Sequence, residues 1–186
     1  MILLVVGVLL WSLVHLFPVF MPTVRAGLID QMGEKAYRGI FALLIFASLG
    51  LIIFGWRSVE VGYDLFDGYG LHHITYGLVL IAIILFGAAK APSRIRLYLR
   101  HPMLTGVLLW AIGHLLVNND PRSLVLFGGM ALWSVVSILG INHRDGAYVP
   151  PEVKSWGREV RIVLISVVVY VALVFGHPYF TGVPLF

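Results

Sequence analysis

The chain has 186 residues, of which 60% are hydrophobic and only 12% are charged, and its mean hydropathy is +0.95. A soluble domain carries roughly twice that charged fraction, so lipid has to solvate much of the surface. The absence of cysteine excludes disulfides, thiolate metal ligands and a cysteine nucleophile; the pI of about 9.6 comes from basic residues in short loops between apolar runs, which reads as topology control and not as nucleic-acid binding.

Six charge-poor stretches are predicted to cross a bilayer as helices, because an open strand edge in lipid would leave backbone groups unpaired. In chain order they are Ile2–Phe20, Tyr37–Trp56, His73–Ala89, Pro102–Val117, Leu124–Ile141 and Ile162–Phe175. Together they make one domain, residues 1–186, an all-α integral membrane bundle. The first stretch reads as a span and not as a cleavable signal: no basic residue precedes it and no small-x-small site follows. Pro18 and Pro22 predict a kink or an end there.

Orientation follows from the basic residues. Arg25, Lys35 and Arg38 follow the first span, Lys90, Arg94, Arg96 and Arg100 the third, and Arg144, Lys154, Arg158 and Arg161 the fifth. The opposite side holds only Arg57 and Arg122, together with the acidic Glu60, Asp64, Asp67 and Asp120. The odd-numbered loops are therefore expected in the cytoplasm and both termini on the other side. One echo, His101-Pro102-Met103-Leu104-Thr105-Gly106-Val107 against His177-Pro178-Tyr179-Phe180-Thr181-Gly182-Val183, falls on opposite faces in this topology.

The histidines carry the chemical interest, because a polar side chain inside a span is costly and functional by default. His143 falls in a basic loop, where water solvates it. His72, His73 and His177 fall at span ends, where backbone or lipid head groups suffice as partners. His15, in Trp11-Ser12-Leu13-Val14-His15-Leu16-Phe17-Pro18, lies inside an apolar run, as does His114 in Trp110-Ala111-Ile112-Gly113-His114-Leu115-Leu116. An imidazole in such a place needs a partner: it packs the bundle through hydrogen bonds, or it ligates a metal or haem iron. Gly113 leaves room beside His114 for a flat macrocycle or a close helix. No H-E-x-x-H helix and no carboxylate accompany either histidine within a span, so a hydrolytic zinc site is poorly supported.

Arg100-His101-Pro102-Met103-Leu104-Thr105-Gly106 sets a basic pair at the cytoplasmic boundary, with proline suited to a first helical position. The pair binds a head group, a substrate carboxylate or a cofactor, or else it only anchors a helix start. Asn118, four residues past His114, shares its helix face and either supports it or caps the helix end.

These residues carry a resemblance. The chain resembles the NnrU family of membrane proteins, associated with nitrite and nitric oxide metabolism in denitrifying bacteria. The likeness runs over nearly the whole chain: Val14-His15, Gly33-Glu34-Lys35 with Tyr37-Arg38-Gly39, then Arg100-His101-Pro102 followed by Gly106, Trp110, His114 and Asn118, and finally Gly176-His177-Pro178. It implies a multi-pass protein of the bacterial inner membrane, working with denitrification enzymes or electron-transfer proteins. The same family includes plant-type 15-cis-zeta-carotene isomerase, a b-type haem protein with two axial histidines. The matching positions here are His15 and His114, so the resemblance implies a bis-histidine haem b on that pair, with His73 as a substitute ligand and Arg100, His101 and Asn118 as neighbours of the cofactor. The isomerase's cysteine near the second histidine has no counterpart.

Helix rise sets a condition on that pair. At about 1.5 Å per residue, His15 lies about 8 Å from the cytoplasmic side and His114 about 18 Å, so upright helices leave them about 10 Å apart in depth. Other readings stand beside the haem. One is a cofactor-free assembly or transport factor. Another is a polyene isomerase, whose long apolar cleft would draw on Trp11, Phe17, Trp110 and Trp133, residues that otherwise serve as packing or interfacial anchors. A third follows from Arg100-His101-Pro102, which is similar to the isoprenylcysteine carboxyl methyltransferase type of S-adenosylmethionine-dependent membrane enzyme. Here the acidic pair of those enzymes is missing from Asn142-His143-Arg144-Asp145-Gly146-Ala147-Tyr148.

Overall fold

The computed structural model describes residues 1–186 apart from Val61, Asp67, Ala91, Val153, Lys154, Val183, Pro184 and Phe186 and the side chains of Tyr69 and Phe180. The predicted loop positions Asp67 and Lys154, and Val183 of the echo, thus lie outside the described residues. Among the described residues every regular element is helical. The helices are α1 (Ile2–Phe20), α2 (Pro22–Met32), α3 (Glu34–Arg57), α4 (His72–Ala89), α5 (Ile95–Tyr98), α6 (Pro102–Val117), α7 (Pro121–Asp145) and α8 (Trp156–Thr181).

Five of these, α1, α3, α4, α7 and α8, are long and apolar enough to cross a membrane. The remaining predicted span, α6, has 16 residues and rises about 24 Å. It nevertheless runs from one end of the bundle to the other. At its start His101 bonds Asn142 near the end of α7, and just past its finish Asn119 bonds the segment before α4.

Helix bounds differ from the apolar runs in a consistent way. The segment between Phe20 and Tyr37, expected as a loop, contains α2, which Pro22 opens at a position where a missing N–H costs nothing. Pro18 lies within the last turn of α1 and does not end it. α7 starts at Pro121, not Leu124, because Asp120 caps it by accepting from the Arg122 N–H at 3.0 Å. α8 starts at Trp156, not Ile162, behind the Ser155 cap, and continues to Thr181. Hydropathy falls where charges begin, whereas backbone hydrogen bonding continues until a cap stops it.

The spanning helices pack in the lateral order α3, α1, α7, α6, α4, α8. Glycines set the closest approaches. A Cβ on Gly7 would lie 2.8 Å from the Ile52 nitrogen, and one on Gly55 would strike the Leu4 backbone, so α1 and α3 run antiparallel with their main chains nearly touching. Gly129 meets Val8 and Gly140 meets Val19 and Phe20, which makes α7 parallel to α1. The outermost helices, α3 and α8, turn bulky apolar groups outward; Phe46 is 71% exposed and Val168 68%. Such surfaces would drive aggregation in water and are suited to acyl chains.

The crossing pattern gathers the loops after α1, α4 and α7 at one end, together with Arg25, Lys35, Arg38, Arg94, Arg96, Arg100, Arg144 and Arg158. Arg57 and Arg122 lie at the other end. This is the charge asymmetry that the sequence predicts.

Candidate functional site

Two of the spans carry the same local device. In α1 the His15 Nδ1–H donates to the Trp11 carbonyl at 2.9 Å, and in α6 the His114 Nδ1–H donates to the Trp110 carbonyl at 2.8 Å. A carbonyl only accepts, so the proton sits on Nδ1 and each Nε2 keeps its lone pair, turned away from its own helix. A metal-ligating imidazole is held in this way. The spacing Trp-x-x-x-His occurs at both places and was legible in the sequence as a repeated signal.

The two histidines have different surroundings. His15 is ringed by aromatics, with Trp11 at 4.3 Å, Trp133 at 5.2 Å and Phe41 at 5.7 Å between ring centroids. His114 stacks one face on Phe127 at 4.6 Å, within 23° of parallel, while Trp110 lies 4.9 Å away. Phe127 reaches that position from a π turn, Leu124–Gly128, near the start of α7, a wound defect that often marks functional sites.

Beyond His114 opens a cavity of about 420 Å³ between α4, α6 and α8. Its wall is mainly aliphatic and aromatic, with Phe86, Trp110 and Leu173 among its members; its polar members include His114, His177, Tyr76 and Tyr170. An apolar cleft with few convergent polar groups is the usual form of a small-molecule site. Its floor is the α4–α6 crossing. The Thr75 hydroxyl there donates to the Gly113 carbonyl at 2.8 Å, and a Cβ on Gly113 would meet Leu78 at 3.4 Å. Gly113 thus lies against α4 at the crossing.

Other predicted site residues lie elsewhere. Asn118 caps α6: its side-chain amide donates to the His114 carbonyl at 3.3 Å, and its backbone N–H to the same oxygen at 2.8 Å. Arg100 and His101 are at the basic end, more than a dozen residues of helix from His114. Arg100 donates to the Gly146 carbonyl at 2.6 Å and faces Asp145 at 3.8 Å, and the His101 Nε2–H donates to Asn142 at 2.8 Å. They tie the start of α6 to the end of α7. His73 is exposed at the start of α4 and does not line the cavity.

α7 lies against both His15 and His114. Their aromatic partners Trp133 and Phe127 are six residues apart on it, or about 9 Å. At His114 an oriented imidazole meets apolar space. Among the described residues no group of three or more His, Asp or Glu side chains is placed to hold a bare metal ion.

One polar cluster had no sequence signal. Asn119, 2% exposed, accepts from the N–H groups of Leu65 and Phe66 and donates to the Phe66 carbonyl at 3.1 Å. Asp120 accepts from Ser123, and Arg122 lies over the Trp56 ring at 4.3 Å. The Asn119 bonds join residues more than fifty positions apart and hold the segment before α4 against the end of α6.

No curated protein and no solved structure matches this chain. The family model described as NnrU protein matches residues 3–185, and over that length the spans, the oriented histidines and the capping Asn118 all fall inside it. The chain belongs to the NnrU family.

Proposed function

We propose that this NnrU-family membrane protein supports nitrite and nitric oxide metabolism in the bacterial inner membrane by carrying haem b in the cavity between α4, α6 and α8. The observation that carries this reading is His114, whose Nδ1–H is committed to the Trp110 carbonyl beside 420 Å³ of apolar space. Haem, when bound, supplies one-electron chemistry and an iron site for small gases. The chain's own residues do the rest. The Trp110 carbonyl fixes the tautomer of His114, Phe127 covers one face of its ring, and Thr75 pins the helix turn that bears it. Phe86, Ile83 and Leu173 give the cavity an apolar wall.

The test is the visible spectrum of protein purified in detergent from haem-replete cells. A Soret band that shifts or vanishes in His114→Ala is expected. A colourless preparation, or a band that His114→Ala leaves in place, would refute the reading.

The second reading is a cofactor-free assembly factor. The contacts of His15 with Trp11, Phe41 and Trp133 favour it for that histidine, since a structural imidazole packs against aromatic rings in this way. It requires denitrification to persist when both His15 and His114 become glutamine.

A further inference from the structure

We infer that the apolar groove between α1, α2 and α3 is a binding site for one anionic phospholipid of the leaflet at the basic end, with an acyl chain in the groove and the phosphate on Arg25. The groove is separate from the His114 cavity, and the inference does not depend on haem.

The groove selects an apolar occupant. It encloses about 340 Å³, with Leu13 and Phe17 of α1, Leu28 and Met32 of α2, and Tyr37 and Leu44 of α3 among its walls. α3 is the last helix on its side of the bundle, so among the described residues no further span covers the groove, and Leu13 is 65% exposed. Such a surface meets hydrocarbon in a bilayer. Its depth fits one leaflet. Leu13 lies seven residues before the end of α1, about 10 Å, and Leu44 ten residues after the start of α3, about 15 Å. Half of a hydrocarbon core is about 15 Å.

Two polar groups at the basic end of the groove select the head group. The Arg25 guanidinium lies over the Tyr37 ring, 5.4 Å from its centroid. Arg25, Leu28 and Met32 follow at i, i+3 and i+7, so the cation shares the face of α2 that lines the groove. Among the described residues no carboxylate pairs with Arg25. Glu34 engages Arg38 at 2.6 Å, and Asp30, five residues past Arg25, lies about 140° away around α2. The Tyr37 hydroxyl is buried and has no hydrogen-bond partner among the described residues. A buried hydroxyl is ordinarily bonded, and an acceptor entering the groove that Tyr37 lines would satisfy it.

A phospholipid supplies what each group lacks. Its phosphate matches the planar fork of a guanidinium, its phosphate and ester oxygens accept from a hydroxyl, and its chain fills apolar space. Negative net charge on the head group is favoured, because basic residues gather at this end and attract anionic lipid.

Native mass spectrometry of the full chain, released from detergent, tests the site by titration with dioleoyl phosphatidylglycerol and, separately, dioleoyl phosphatidylcholine. Wild type is expected to bind one phosphatidylglycerol about fivefold more tightly than phosphatidylcholine, the worth of one cation near a lipid surface. Arg25→Gln is expected to erase the preference and Arg25→Lys to keep most of it. Lys35→Gln, which removes a charge at the same end but not beside the groove, is expected to leave it intact. Tyr37→Phe is expected to weaken the first binding step. Leu28→Trp, which fills the groove and keeps every charge, is expected to lose the tight lipid, and glycerol phosphate, a head group without chains, to leave it in place. Wild-type preference in Arg25→Gln, wild-type affinity in Tyr37→Phe, or equal losses in Arg25→Gln and Lys35→Gln would overturn the assignment. So would a tight lipid retained in Leu28→Trp, displacement by glycerol phosphate, which marks a plain anion site, or a lipid-free wild-type dimer, which marks a contact between two copies.

Discussion

Gly106 makes the most quantitative claim of the packing. It sits on α6 where that helix crosses α4, and a Cβ there would lie 2.7 Å from Phe86 Cε1, 2.9 Å from Phe86 Cδ1 and 2.9 Å from the Ala82 carbonyl oxygen. Ordinary contact begins near 3.4 Å, so Gly106→Ala leaves an overlap of about 0.5–0.7 Å. The carbonyl belongs to a helix backbone and cannot rotate away; α6 must lift off α4, or Phe86 must turn into the cavity that it lines. Overpacking of this order costs about 1–3 kcal/mol. Alanine is also the better helix former, by about 1 kcal/mol, which masks part of the loss. Gly77→Ala on α4 supplies the reference, because nothing lies within 4 Å of its Cβ position and it gains the propensity alone. The two variants should therefore differ in unfolding free energy by about 1–3 kcal/mol, with Gly106→Ala the weaker. Equilibrium unfolding in mixed micelles, with thermal midpoints in the same detergent, measures the difference. Equal stability of the two variants would refute the close α4–α6 crossing, and with it the floor assigned to the cavity.

Three further outcomes follow from the same contacts. Asn119→Ala strips the partners from the Leu65 and Phe66 amides and should cost about 1–3 kcal/mol; faster proteolysis between Arg57 and His72 would report it, and an unchanged cleavage rate would count against the latch. Arg100→Ala removes a bond to the Gly146 carbonyl and should lower stability by about 1 kcal/mol. Calorimetry should detect no S-adenosylmethionine binding before or after that change, and saturable binding abolished by it would revive the methyltransferase reading. Reporter fusions should be active outside at Tyr63 and inside at Pro151, as the gathering of basic residues at one end of the bundle requires; the reverse pattern at either position would overturn the orientation.

The spans were readable because lipid solvation imposes one requirement, sustained apolar sequence, that composition states directly. α2 was not readable in the same way. Arg25, Gly27 and Asp30 interrupt its apolar pattern, and only the proline at its start hints at a helix. His15 and His114 stood out because each is a lone imidazole in an apolar run, and their aromatic partners Trp133 and Phe127 lie about 9 Å apart along α7. Proline marks a break in a sequence pattern, yet α8 runs on through Pro178 to Thr181, so His177 lies one turn before the helix end. Arg100 and His101 drew attention as a possible ligand site through charge and position alone. Their partners Gly146 and Asn142, over forty residues away, are contacts that no local pattern announces.

Haem content per chain tests the central claim most directly. Protein from haem-replete cells, assayed by pyridine haemochrome against amino-acid analysis, should carry close to one b-type haem per chain, and His114→Ala, still monodisperse in detergent, should carry far less. Wild type with only trace haem, or His114→Ala loaded to the same level, would contradict the account.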